Sequence, residues 1–165
     1  MIDWEALAKQ VGDITPDGER WGTPSGRRVL EILLGEENLR STVDYWISQK
    51  PGCFTAEMVL NIIRSKVAME RCYEIYKSER GTEKASRAVF LLASIADDEA
   101  LPWVREFLED DSRGVRWNGL MVLRTVVLGP LGDGAIATAK ELLDKAASDP
   151  DSEMQKRTRE IRSLL

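Results

Sequence analysis

The chain has 165 residues, 43% of them apolar and 31% charged, which is long enough to bury a core and ordinary for a globular protein. It contains no histidine, and its two cysteines, Cys53 and Cys72, form no C-x-x-C pair. Imidazole bases, imidazole triads, disulfide frameworks and cysteine zinc sites are thereby excluded, and no metal or cofactor is implied. Twenty-three basic against 28 acidic residues leave a net charge of −5 and a pI near 5.0. A phosphate backbone would be repelled unless a basic face stood apart from the rest, so the composition points to a binding protein with no nucleic acid among its partners.

The opening Met1-Ile2-Asp3-Trp4-Glu5 is acidic where a secretory signal would be basic. No window approaches the roughly 18 consecutive apolar residues of a membrane span, so no membrane partner is expected. Two thiols without a partner motif fit the reducing cytoplasm, and each reads as a small buried hydrophobe rather than a reactive group.

The hydrophobic period predicts helices over 3–10, 27–34, 37–49, 55–78, 83–96, 99–109, 113–128, 134–147 and 152–164, with no convincing strand. Thr55, Thr82 and Ser112 are placed to cap helix N-termini, and Ser152 with Gln155 has the spacing of a capping box. Gly35, Pro51-Gly52, Gly81 and Gly129-Pro130 mark the stops. Residues 12–26 hold four glycines and two prolines without periodicity and read as one long loop. Their glycines match neither phosphate-binding fingerprint, and no strand precedes them. Trp21 in this loop either pins it to the body or presents itself to a partner.

The second half repeats. Asp110-Asp111-Ser112-Arg113-Gly114-Val115-Arg116 precedes a helix carrying Gly119, Val122, Leu123 and Val126 on its apolar positions. A shift of 39 aligns residues 149–155, with Thr158, Ile161, Arg162 and Leu165 behind them. A shift back of 31 aligns Ala88, Leu91, Leu92 and Ile95. Helical pairs recurring at about 40 residues predict an all-α fold of stacked pairs, in which neighbours bury each other's apolar faces. The stretch over residues 96–116, ADDEALPWVREFLEDDSRGVR, resembles a HEAT-repeat unit. The likeness is good over 82–128, fair to the C-terminus and absent before 55. It implies a short right-handed superhelix over 55–165 behind divergent N-terminal helices, within one domain spanning 1–165. Gly119 departs from the alanine usual in that family, and Gln155 from its arginine.

On a helical wheel at about 100° per residue, Val115, Gly119, Val122 and Val126 form the stacking face of 113–128. Trp117, Met121, Arg124 and Leu128 lie opposite, and their counterparts one repeat earlier include Ser86, Phe90 and Ala93. Tryptophan, methionine and arginine are the residues that interface cores favour, so Trp117, Met121, Arg124 and Phe90 are candidates for partner binding. Packing of Trp117 against a neighbouring helix is an equal alternative. Residues 97–111 set seven carboxylates against Arg105 alone. Asp97, Asp98, Asp110 and Asp111 are therefore candidates to meet a basic partner, or else serve as helix caps on a solvated face.

Glu70 and Glu74 lie four apart near Tyr73 and Tyr76, but with Arg71 and Lys77 beside them they read as salt-bridge partners rather than catalytic acids. Of the five tryptophans, most are expected in the core, Trp46 above all. The chain also resembles, in size, acidity and lack of catalytic chemistry, the immunity proteins of contact-dependent and polymorphic toxin systems. That resemblance implies a cognate toxin domain, often a basic nuclease, as protein partner. The HEAT-like alkylpurine DNA glycosylases, with Trp103 and Trp117 in their groove, and HEAT-like chromophore lyases or chaperones are the alternatives.

Overall fold

Glycines and short polar residues punctuate the chain into helices where the sequence says they should. Gly35, Gly52 and Gly81 each take a positive φ of 77°, 93° and 79°, turning the backbone through a region that side chains disfavour. The computed structural model describes residues 2–12, 14, 15, 18, 19 and 23–165. These are all-α apart from one two-residue antiparallel pair, and they form two units, Met1–Ala68 and Met69–Leu165.

In the N-terminal unit α1 spans Trp4–Gln10, capped by the Asp3 carboxylate, which accepts from the Ala6 N–H. Ile14–Thr15 (β1) and Gly18–Glu19 (β2) pair antiparallel, and α2 runs Thr23–Leu34. The stretch 12–26 is thus not one loop. Pro24 suits the first turn of α2, where its missing N–H has no helical acceptor to lose. Trp21 lies outside the described residues.

Helices α3 (Glu36–Ile47) and α4 (Cys53–Ile63) pack together and bury Leu39, Val43, Trp46, Leu60 and Ile63. The Trp46 indole N–H donates to Glu57 at 3.0 Å, satisfying its one polar group inside the core. Thr55 does not cap α4; the helix begins two residues earlier, after Gly52. The helix expected over 55–78 is broken. Arg64 adopts a left-handed φ of 48°, and the buried Ser65 hydroxyl accepts from the Ala68 N–H to start α5, Lys66–Ser78. A local side-chain acceptor outcompetes the continuing helix at that point.

The C-terminal unit holds the rest of α5, then α6 (Glu83–Ile95), a 3-10 turn at Asp98–Ala100, α7 (Leu101–Leu108), α8 (Arg113–Val127), α9 (Asp133–Ala146) and α10 (Ser152–Arg162). Helix α8 packs on α6 and α10 along one row and on α7 and α9 behind it. Asn118 donates to the Ser86 carbonyl at 3.0 Å and Thr125 to the Ala93 carbonyl at 2.7 Å. Both bonds join residues 32 apart, so α6 and α8 run parallel in one register. Thr82 and Ser112 hold the N-cap positions expected of them. Ser152 does not: Asp151 caps α10, its carboxylate accepting from Glu153 and Met154 N–H, while the Gln155 amide donates to the Asp149 carbonyl.

Val115, Gly119, Val122 and Val126 are all buried, so the wheel for α8 is correctly oriented. Both cysteines are free and buried. Of the four described tryptophans only Trp46 is core. Trp4 is 60% exposed on a short helix with no buried residue, and Trp103 and Trp117 are half-buried. Among the described residues no helix is long and apolar enough to cross a membrane.

Candidate functional site

The parallel register of α6 and α8 carries the candidate aromatic and aliphatic side chains onto one surface. Phe90 is 49% and Leu128 56% exposed, Met121 is half-buried and Arg124 exposed. A wheel position that is apolar yet open to water is one the unit itself does not need for packing. Trp117 differs. It is half-buried in a recess of about 70 Å³ shared with Glu153, Lys156, Arg157 and Glu160 of α10. Its ring is wedged between helices with charged side chains around it, neither core nor freely presented. Arg157 and Glu160 pair at 2.6 Å, giving the apolar centre a charged border. An apolar centre with a polar rim is the anatomy of a protein–protein interface.

The acidic run behaves otherwise. Asp97 and Asp98 sit at the start of α7 and Asp110 and Asp111 at its end, about 12 Å apart along eight residues of helix. At physiological ionic strength charges are screened over about 8 Å, so the two ends act separately. Most of the intervening charge is matched. Glu106 pairs with Lys77 at 2.6 Å and Arg80 at 3.4 Å, and Glu109 with Lys145 at 2.9 Å. Lys77 thus serves Glu106 rather than Glu70 or Glu74, while Arg71 pairs with Glu74 at 3.1 Å. Asp110 accepts from the Tyr76 hydroxyl at 2.9 Å and from the Ser112 N–H at 2.9 Å, and its side chain is almost covered. Its carboxylate is spent on joining α5 to the α7–α8 turn, which leaves little for a partner. The Asp97 side chain accepts from the Glu99 N–H as a cap, while Asp98 and Asp111 remain exposed.

The same device recurs at the next turn. Asp149, nearly buried, accepts from the Asp151 N–H and pairs with the Arg116 guanidinium at 2.7 Å, which also donates to the Asp110 and Asp111 carbonyls at 3.0 Å. Arg113 pairs with Asp151 alongside. Each turn aspartate is therefore tied to a cation of the preceding pair, Arg80 for Asp110 and Arg116 for Asp149.

Behind α8 the aromatic residues of α5 and α7 stack. Tyr73 lies 4.9 Å from Trp103 at 10°, and Phe107 meets Tyr76 edge-on at 4.8 Å. Trp103 is thus engaged with Tyr73 on α5, whereas Trp117 faces α10, so the two tryptophans do not line one groove. The Tyr73 hydroxyl donates to Glu106 at 2.7 Å. That bond, with burial, pushes the Tyr73 hydroxyl up to about 12. For Glu106, burial favours the neutral acid, but the Lys77 and Tyr73 donors and the nearby Arg80 outweigh it and hold the carboxyl below its ordinary value.

The signs follow. A depressed carboxyl adds stability above pH 4.5 that is lost as the pH falls through its folded value; a raised tyrosine adds stability below pH 10 that is lost as the pH climbs toward 12. Glu106→Gln should therefore flatten both limbs of a urea-midpoint-against-pH curve. Unchanged limbs would show that the cluster carries no linked stability.

One surface was not foreseen. Helix α4 exposes Phe54 (74%), Met58 (62%) and Ile62 (61%), spaced four apart. The signal was present in C-F-T-A-E-M-V-L-N-I-I, apolar on every side, yet reading 55–78 as one helix hid it. No protein-family model, curated protein or solved structure matches this chain.

Proposed function

We propose that this chain is a non-catalytic protein-binding module that acts as an immunity protein, holding a cognate toxin domain through the α6–α8 face. Its C-terminal unit is read as HEAT-like stacked pairs, with the parallel row of α6, α8 and α10 as the partner surface. The observation that carries the reading is the set of open apolar side chains Phe90, Met121 and Leu128 beside Arg124, bordered by the charged face of α10. Such side chains cost free energy in water unless a partner covers them. The exposed Asp98 and Asp111 would steer a basic domain toward the surface without forming its centre.

The test uses the protein encoded beside this chain's gene as the probe, titrated by calorimetry and stopped-flow fluorescence. Leu128→Asp and Phe90→Asp should weaken binding by about 2–4 kcal/mol, mainly through faster dissociation, with the melting temperature nearly unchanged. Asp98→Lys with Asp111→Lys should slow association at low salt alone. Trp117→Ala should lower both affinity and melting temperature, since the ring is half-buried. Affinity indifferent to Phe90, Arg124 and Leu128 would move the interface off this face.

A further inference from the structure

We infer that the exposed ridge of α4 is a self-association surface, which a second copy of this chain covers by packing α4 against α4 about a two-fold axis at Met58. Phe54, Met58 and Ile62 form one i, i+4, i+8 row, with Phe54 and Ile62 equidistant from Met58 along the helix. A row symmetric about its centre is self-complementary. When two copies run antiparallel, Phe54 of one lies against the partner's Ile62, and Met58 against the partner's Met58. Interdigitating i±4n rows is also the commonest way two helices pack, at a crossing of about −50°.

Three further observations favour a like copy over another occupant. Glu57 is the one charged residue on α4, and its carboxylate is turned to the Trp46 indole, so no like charges meet at the axis. Lys50 and Arg64, beyond the two ends, are carried apart by the crossing. The patch is also wide enough. Leu30, Leu33 and Leu34 of α2 are exposed too, and Leu30 meets Ile62 across an apolar recess of about 490 Å³ also lined by Gly26 and Arg27. Together the α2 and α4 side chains leave on the order of 600 Å² of apolar surface in water, the upper end for a lone chain. With its polar rim this approaches the roughly 800 Å² that each partner contributes to a standard interface. Centred on Met58, the contact also uses the side chain that best adapts to its own mirror.

Size-exclusion chromatography with light scattering on the full chain, over a micromolar dilution series, should give twice 18.6 kDa at the concentrated end. Met58→Asp, which sets two carboxylates against each other at the axis, should weaken dimerisation by about thirtyfold or more while the circular dichroism spectrum stays the same. Met58→Cys should cross-link two chains through that position under mild oxidation, the native Cys53 and Cys72 being buried. A monomer at every concentration would overturn the proposal. So would a dimer that Met58→Asp leaves intact and Met58→Cys does not cross-link, since the copies would then meet through another face.

Discussion

Gly119→Leu should destabilise the C-terminal unit by about 3 kcal/mol, the upper end of what overpacking costs. Gly119 lies in the middle of α8 where α7 crosses it. A Cβ at this position would stand 2.5 Å from the Phe107 Cβ and 3.4 Å from the Phe107 carbonyl carbon. The obstacle is the root of a side chain and its backbone, so no rotamer change relieves it, and α7 itself must shift. Phe107 is fully buried against Tyr73 and Tyr76, which opposes that shift. Gly119→Ala is the graded control. Alanine gains about 1 kcal/mol of helix propensity and meets the same clash, so its net effect should be smaller but still destabilising. For a unit of this size the leucine variant should melt more than about 10 °C lower, as read by circular dichroism. A leucine variant as stable as the parent would mean that α7 and α8 separate freely.

Arg116→Ala should cost about 3–5 kcal/mol, because it strands the nearly buried Asp149 carboxylate and takes the shared donor from the Asp110 and Asp111 carbonyls. Urea unfolding should show a lower midpoint at unchanged slope. The loss belongs to the pair rather than to either residue. Replacing both partners with apolar residues, Arg116→Met with Asp149→Leu, should therefore cost less than the sum of the two single changes. Additive costs would show that the guanidinium and the carboxylate do not depend on each other.

The sequence by itself determined the all-helical class and most of the C-terminal helices. Their apolar residues recur at helical spacing, and Gly81, Gly129 and the turn aspartates interrupt that period at local positions. It likewise determined the buried face of α8, since the 3.6-residue period fixes which side chains share a side. The break at Arg64–Ser65 was decided locally but in disguise, by one hydroxyl accepting the Ala68 N–H within an apolar run that continues through it. Cap choice at Asp151 was hidden for a similar reason: several neighbouring residues can cap, and geometry selects one.

What only the tertiary structure decided is which polar and aromatic groups are spent internally. Asp97, Asp98, Asp110 and Asp111 look equivalent in the chain, yet Asp110 is bound to Tyr76 from residues far away in sequence while Asp98 and Asp111 stay open. Trp117 and Trp103 likewise find their neighbours, α10 and Tyr73, across the turn or in another helix. The α4 ridge, apolar all round, reads as buried until the neighbouring helices prove too few to cover it. Periodicity reports what a helix offers on each side; exposure and pairing depend on what other elements bring to meet it.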